Sequence, residues 1–270
     1  MTVTDNESRS TSLSEVLRAF DPAQEFAIPA GWTQGRTAYG GLTAALAVVA
    51  AQQTDGAPLP ALRAAQFAFT APATETMTVR ARRLREGRSV TSVAVETRSG
   101  DSVAAQSTLI FAGARDSSVE HTLIPRPDVA GPQDCPSVGG RPGAQPSFTD
   151  QFERRIAGGA IPVTKAVEPE VLWWMRHRDA QGVDPAVALV GLGDSLPPAA
   201  MTAFSDWAPI STVMWSIDIC ADEAVDPTGW FLLRSTSAVS RGGYSYQTME
   251  AWDADGQLVM TGTQTVAIFT

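Results

Sequence analysis

The sequence predicts an α+β protein in which one structural unit occurs twice, each unit a long buried helix wrapped by a curved antiparallel sheet. Three observations lead to this prediction. An apolar helix followed by four strand-like segments occurs within residues 24–111 and again within residues 171–269. The first helix is apolar nearly all round, which is typical of a helix enclosed by other elements. Pro, Gly and Ser residues concentrate between the two units.

The first unit opens with an extended segment at 24–28 and a predicted helix at 39–53, built from small and aliphatic residues. Gly-containing turns, Glu86-Gly87 and Ser99-Gly100, separate strand-like segments and indicate hairpins. The sequence therefore predicts a helix followed by an antiparallel meander, with strands at 62–69, 76–84, 89–98 and 102–111.

The second unit repeats this order, beginning with a strand at 171–177. Asp184 and Pro185 indicate a helix start, because an acidic N-cap and a proline at the first helical position are both favoured there. The helix is expected at 186–196, and strands follow at 211–220, 229–237, 243–252 and 258–269. The closing strands align by sequence, with Gln106 and Phe111 matching Gln264 and Phe269.

These elements divide the chain into an N-terminal unit at 15–115, a Pro/Gly-rich linker at 116–165 and a C-terminal unit at 166–270. A buried helix inside a curved antiparallel sheet is the hot-dog fold, so the prediction is a tandem, or double, hot-dog. The two sheets should meet edge to edge and leave a crevice between the helices. Exposed edges at the two ends favour association into a homo-oligomer.

Composition excludes several classes of function. The net charge of -9 argues against a nucleic-acid binder, which needs clustered Lys and Arg. No apolar run approaches the ~20 residues of a membrane span, and the N-terminus lacks the apolar core of a signal peptide. Cys135 and Cys220 form neither a metal-binding spacing nor a disulfide framework. We therefore expect a cytoplasmic protein without a metal or another cofactor.

Common catalytic motifs are absent from the sequence: the G-x-S-x-G elbow, the Walker loop and H-E-x-x-H. The histidines are His121, in the predicted linker, and His177, near a strand end. No Asp/His pair in one loop, as used by hot-dog hydratases, is present. Chemistry is therefore expected to depend on carboxylate, amide and hydroxyl groups.

Three segments, 192–198, 211–218 and 256–264, resemble motifs of acyl-CoA thioesterase II-type proteins. The first resembles the central-helix motif in which an aspartate precedes Leu and Pro. The second resembles the strand that carries a catalytic threonine or serine, and the third the closing strand that ends on a catalytic glutamine. The resemblance extends over residues 32–111 and 171–269.

This resemblance implies hydrolysis of acyl-CoA to a free acid and CoA, as part of lipid metabolism. It implies that Asp194, Thr212 and Gln264 are the catalytic residues, holding and activating one water molecule. The same aspartate could instead cap the end of its helix, and Asp206, in the following loop, is the rival acid.

Substrate-binding residues are expected at a helix start and in two turns. Gly40 and Gly41 open the first helix, where backbone N–H groups could bind the thioester oxygen; the alternative is that they permit tight packing. Arg88 and Gly242 lie in turns that match those of the family, and are assigned to substrate binding by resemblance. The alternative functions are a non-catalytic acyl-CoA-binding protein and, less favoured, a hot-dog enoyl-thioester hydratase.

Overall fold

The structure, a computed structural model, describes residues 11–139, 145–221 and 225–269. Within these ranges the chain forms three α-helices and thirteen strands. The helices are α1 (Leu13–Ala19), α2 (Gly40–Gln52) and α3 (Pro185–Gly193). The strands are β1 (Phe26–Ala27), β2 (Thr33–Gln34), β3 (Thr37–Ala38), β4 (Leu62–Phe69), β5 (Thr76–Glu86), β6 (Val90–Ser99), β7 (Ser102–Ala112), β8 (Phe152–Gly159), β9 (Glu170–His177), β10 (Ile210–Ile219), β11 (Phe231–Arg241), β12 (Tyr244–Trp252) and β13 (Leu258–Ile268).

One antiparallel sheet of eleven strands passes through both halves of the chain, in the order β1-β5-β6-β7-β4-β10-β13-β12-β11-β9-β8. The halves meet where β4 pairs with β10, in a register that places Phe67 opposite Trp215. These two side chains are buried, and their rings stack with centroids 5.3 Å apart. The predicted double hot-dog, with its sheets joined edge to edge, is confirmed.

Helices α2 and α3 lie side by side on the inner face of this sheet. Both are buried along almost their whole length, as their all-apolar sequences predict. The hydroxyl of Tyr39, just before α2, donates to the carbonyl of Gly191 near the end of α3, at 2.9 Å. The start of α2 therefore lies beside the end of α3, and the helices run antiparallel. Among the described residues, no helix has the length and apolar character needed to cross a membrane.

Helix α1 was not predicted, because the N-terminal residues are mostly polar. Ser12 and Glu15 form a reciprocal capping box at its start. Leu13 and Val16 are buried in the main core, so this short helix is held by packing on one apolar face.

The predicted linker, 116–165, is only partly irregular. Its last third contains β8, an edge strand paired with β9, and contributes Phe148 and Phe152 to the main core. An earlier part covers the outer face of the sheet: the carbonyl of Ala130 accepts from Trp174, and Arg126 lies over the same indole ring. The sequence did not predict these elements, because prolines and glycines interrupt the periodic pattern on which strand prediction depends.

The sequence alignment of the closing strands is wrong in register. Gln264 is buried whereas Gln106 is exposed, and Phe111 is buried whereas Phe269 is exposed. Successive strand residues point to opposite faces, so the aligned residues lie on opposite sides of the sheet. The two β-strands correspond as elements, but Gln106 is not the counterpart of Gln264.

Phe152 tests whether the end of the predicted linker is part of the fold. Its ring is buried against Trp32, Tyr39, Phe148 and His177. We expect Phe152→Ala to lower the free energy of unfolding by about 3–5 kcal/mol, measured by chemical denaturation. Leu123→Ala, at an exposed position in the same segment, should change it by less than about 0.5 kcal/mol. Equal effects would contradict a structural role for β8.

Candidate active site

Asp194 lies where the two buried helices meet. It is the C-cap residue of α3, and the backbone N–H of Gly41, in the first turn of α2, donates a hydrogen bond to its carboxylate. A helix C-terminus disfavours negative charge and a helix N-terminus favours it. The start of α2 thus offsets an unfavourable position at the end of α3, and both helices are needed to hold this carboxylate.

Gly40 gives the carboxylate room. A Cβ atom at this position would lie 2.6 Å from Oδ2 of Asp194 and 3.4 Å from the ring of Phe69. Carbon and oxygen atoms do not approach that closely without displacement. A glycine at the start of α2 is therefore required by the position of Asp194.

Two buried glutamines continue the site across the sheet. Gln264, on β13, donates from Nε2 to Oδ1 of Asp194 at 2.6 Å. Its own oxygen accepts from Nε2 of Gln247, directly opposite on β12, at 2.8 Å. The result is a hydrogen-bonded chain, Gln247 to Gln264 to Asp194, in which both amides are buried.

The pKa of Asp194 is raised from its usual value to about 7, chiefly because burial disfavours the charged carboxylate. The hydrogen bonds from Gln264 and Gly41 act in the opposite direction and limit the increase. Burial also raises the pKa of Tyr39 well above 10, an effect that the neighbouring Asp194 strengthens, so the phenol stays neutral. Burial lowers the pKa of His177 to about 4, and its imidazole is neutral near pH 7.

A carboxylate that titrates near pH 7 is suited to take a proton and return it. Its Oδ1 is engaged by Gln264, whereas Oδ2 faces the position where Gly40 lacks a side chain. The site can therefore act as a general base toward a molecule that contacts the second oxygen. Strongly perturbed carboxyl groups of this kind are common at functional sites.

The structure brings together four of the seven residues proposed from sequence: Asp194, Gln264, Gly40 and Gly41. The acid and the amide also form a direct hydrogen bond with each other, and the expectation that they share one water stays a prediction. Gln247 was missed. Its alternation with buried Ser245 and Met249 shows that it points inward, but this pattern cannot be separated from ordinary strand burial by sequence alone.

Thr212 lies on β10, opposite Val266 and two residues along from the position of Gln264 on β13. Opposed residues share a face, so its side chain points to the same side of the sheet as Gln264. It is partly buried, and in the described part of the chain its hydroxyl makes no hydrogen bond with either member of the acid–amide pair. Its catalytic role remains a prediction.

Arg88 and Gly242 lie away from this site. Arg88 is exposed in the turn that follows β5. Arg83, on β5, donates a hydrogen bond to Thr54, which lies just after the C-terminal end of α2. Because α2 is about 20 Å long, Arg88 lies at the opposite end of the helix from Asp194. Gly242 occupies an exposed hairpin with φ of 61°, a conformation that favours glycine. That either residue binds substrate stays a prediction.

The two candidate acids, Asp194 and Asp206, lie in different surroundings. Asp194 is both the C-cap residue of α3 and the carboxylate that Gln264 contacts, so the two sequence interpretations describe one residue. Asp206 is exposed and accepts only from the adjacent Ser205 among the described residues. In the same ranges, no group of three or more His, Cys, Asp or Glu side chains could hold a metal ion.

Comparisons with known proteins match both halves of the chain. The model of the acyl-CoA thioesterase N-terminal domain matches residues 28–112, and that of the acyl-CoA thioesterase C-terminal domain matches residues 132–268. No curated protein sequence gives a significant match.

Solved structures share the fold over almost the full length. A hot-dog protein of unknown function from Alicyclobacillus acidocaldarius is 25% identical, with a TM-score of 0.80, and the match covers 91% of this chain and 92% of that one. An acyl-CoA thioesterase II, TesB2, from Mycobacterium marinum is 18% identical, with a TM-score of 0.71 and coverage of 91% and 93%. At such an identity the second likeness shows the fold alone.

The raised pKa of Asp194 predicts a pH-dependent cost to stability. The folded-state pKa lies above the unfolded value, so the cost is absent below pH ~4 and complete above pH ~7. We expect Asp194→Asn to raise the free energy of unfolding more at pH 8 than at pH 4, because only the carboxylate carries this cost. The difference should be at most about 4 kcal/mol. Denaturation of both proteins at the two pH values measures this difference. An equal effect at pH 4 and pH 8 would contradict the raised pKa.

Proposed function

The chain belongs to the acyl-CoA thioesterase family, and we propose that it hydrolyses acyl-CoA thioesters to a carboxylic acid and free CoA. The observation that carries this proposal is the partly buried Asp194 carboxyl, with a pKa of about 7 and a hydrogen bond from Gln264. A thioester is an activated acyl donor, so water is a sufficient nucleophile if a base removes its proton during the attack.

In this mechanism Oδ2 of Asp194 accepts a proton from water while the water oxygen adds to the thioester carbonyl carbon. The carbon–sulfur bond then breaks, and the protonated carboxyl returns its proton to the leaving CoA sulfur. One water is consumed, and one acid and one thiol are formed. Such general acid–base catalysis contributes ~100- to 10,000-fold to the rate.

The start of α2 is proposed to stabilise the oxygen on which negative charge develops. Its Gly41 N–H donates to the carboxylate in the resting site. Once Asp194 is protonated it becomes a weaker acceptor, and the negative charge has moved to the substrate oxygen. The N–H group can then bind that oxygen, with support from the helix dipole.

Thr212 and Gln264 are proposed to position the water. Gln264 fixes the orientation of the carboxylate by its bond to Oδ1. Thr212 lies on the same face of the adjacent strand, and we propose that its hydroxyl bonds to the same water. Holding the nucleophile in a productive orientation lowers the entropic part of the barrier.

Replacing the acid tests the proposal. Asp194→Asn should lower the rate of CoA release by at least ~100-fold, because it removes the base with little change in size. Free thiol released from a panel of acyl-CoA substrates, followed with a colorimetric reagent, measures the rate. Asp206→Asn is the matched control and should keep near wild-type activity.

Wild-type activity should also rise as pH increases through about 7, with Asp194 as the titrating base. Retained activity in Asp194→Asn with loss in Asp206→Asn would reverse the assignment of the acid. Acyl-CoA binding without thiol release by the wild-type chain would favour a non-catalytic binding protein. Loss of enoyl absorbance without thiol release would favour a hydratase.

The two positioning roles predict a particular kinetic pattern. Gln264→Leu and Thr212→Val should each lower kcat more than they raise KM, because the lost groups act on the water rather than on CoA. Their combined effect should be smaller than the product of the two single effects, since both act on one molecule. Steady-state kinetics of the single and double variants measures this. Independent, multiplicative losses would contradict a shared water.

A further inference from the structure

We infer that Gln247 is a positioning residue for this reaction, acting through Gln264 on Asp194 without touching the substrate itself. The inference rests on the proposed function for its kinetic readout. Its physical basis is the hydrogen-bonded chain and the complete burial of Gln247.

The amide of Gln264 has two nearly isosteric ends, and only one of them can donate a hydrogen bond. With Nε2 toward Asp194, the amide stabilises the carboxylate; rotated by 180°, it would present an oxygen to another oxygen. An ionised carboxylate selects the correct end by itself. A carboxyl that cycles between its charged and neutral forms does not, because the neutral form can accept from the NH2 end of the amide or donate its own O–H to the oxygen end.

Gln247 removes this ambiguity. Its Nε2 donates to Oε1 of Gln264 at 2.8 Å, which holds that oxygen away from Asp194 in both protonation states. The two amides are opposed residues of β12 and β13 on the inward face, so the backbone ladder fixes their separation. The Oε1 of Gln247 is buried, and in the described residues it has no hydrogen-bond partner. Burial of this oxygen without a partner lowers the stability of the fold.

The hot-dog unit does not itself require a polar pair at such a place. On the paired strands β6 and β7 of the first unit, Val93 and Leu109 face each other and are both fully buried. An apolar replacement at position 247 is consequently compatible with this type of sheet. A loss of activity on replacement would then reflect the amide chain rather than a failure to fold.

Among the titratable groups near Asp194, Asp194 itself is the one expected to change its charge near pH 7. Tyr39, at the start of α2, is neutral because burial raises the pKa of its phenol. His177, on β9 behind α3, is neutral because burial lowers the pKa of its imidazole to about 4. On β12 and β13 the groups in the chain are uncharged amides, Gln247 and Gln264.

The experiment compares Gln247→Leu with Ser245→Ala. Ser245 lies two residues away on the same face of β12, is fully buried and bonds to Ser237, but is outside the amide chain. Gln247→Leu should lower kcat about 10-fold at pH 6 and by less at pH 9, with KM little changed. A loss of this size is expected when the hydrogen bond from Gln264 to the charged Asp194 is weakened. The acidic limb of the Gln247→Leu profile should move to higher pH, whereas Ser245→Ala should leave the profile unchanged.

A second comparison uses Gln264→Leu as the background. If Gln247 acts through Gln264, adding Gln247→Leu to this variant should produce no further loss and no further shift of the pH profile. An equal loss in both backgrounds, or an unshifted profile in Gln247→Leu, overturns the inference. A shift of the same size in Ser245→Ala also overturns it. Thermal unfolding verifies each variant, and Gln247→Met, with an unbranched side chain, replaces Gln247→Leu if the latter does not fold.

A direct readout separates this inference from the proposed function. Carbon-13 NMR of the labelled Asp194 carboxyl follows its titration in the wild-type chain and in Gln247→Leu without any substrate. A higher pKa in Gln247→Leu supports the positioning role even if no acyl-CoA is hydrolysed. An unchanged pKa overturns the role even if the wild-type chain is an active thioesterase.

Discussion

The antiparallel contact between α2 and α3 is the constraint on which the rest of the site depends. It brings the beginning of one helix to the end of the other, and this junction is where Asp194 lies. The contact exists because both helices are apolar on all sides and must be enclosed together by one sheet. The continuity of that sheet depends in turn on the pairing of β4 with β10. The carboxylate is thus positioned by long-range packing, although only a few residues touch it.

Burial of a carboxyl group opposes folding, and the protein supplies several partial compensations. A helix start, a backbone N–H and a side-chain amide are all directed at the same group. None of them restores the pKa to its ordinary value, because the dominant effect is the removal of water. The compensations therefore stabilise the charged form enough for it to exist near pH 7. They leave it basic enough to bind a proton, which an exposed aspartate would not do at that pH.

The sequence contains enough information for the repeated unit and for part of the site. Periodicity, turns and the Asp184-Pro185 helix start predicted both buried helices and most strands to within a few residues. Asp194 and Gln264 were found through resemblance to a family, since neither has a distinctive local pattern. Edge strand β8 was hidden by its Pro/Gly-rich surroundings, and α1 by its short apolar face.

The remaining errors have a common physical origin in strand geometry. A shift of one residue in the closing strands reverses the face on which Gln106 lies, so a plausible sequence alignment gave a wrong structural correspondence. The pairing of Gln247 with Gln264 depends on the register of two strands. Such relations between elements are not encoded in any single segment.

The unequal ends of the two buried helices have a consequence for how such a protein can evolve. Helix α2 begins with Gly40 and Gly41 and has Gln53 as its C-cap, whereas α3 begins with Pro185 and is capped by Asp194. In a symmetric pair of identical chains, every helix would have to carry both the small opening residues and the closing acid. Covalent fusion releases each half from this double requirement. Each gene segment can then accumulate its own changes, so specialisation of one half is not copied into the other.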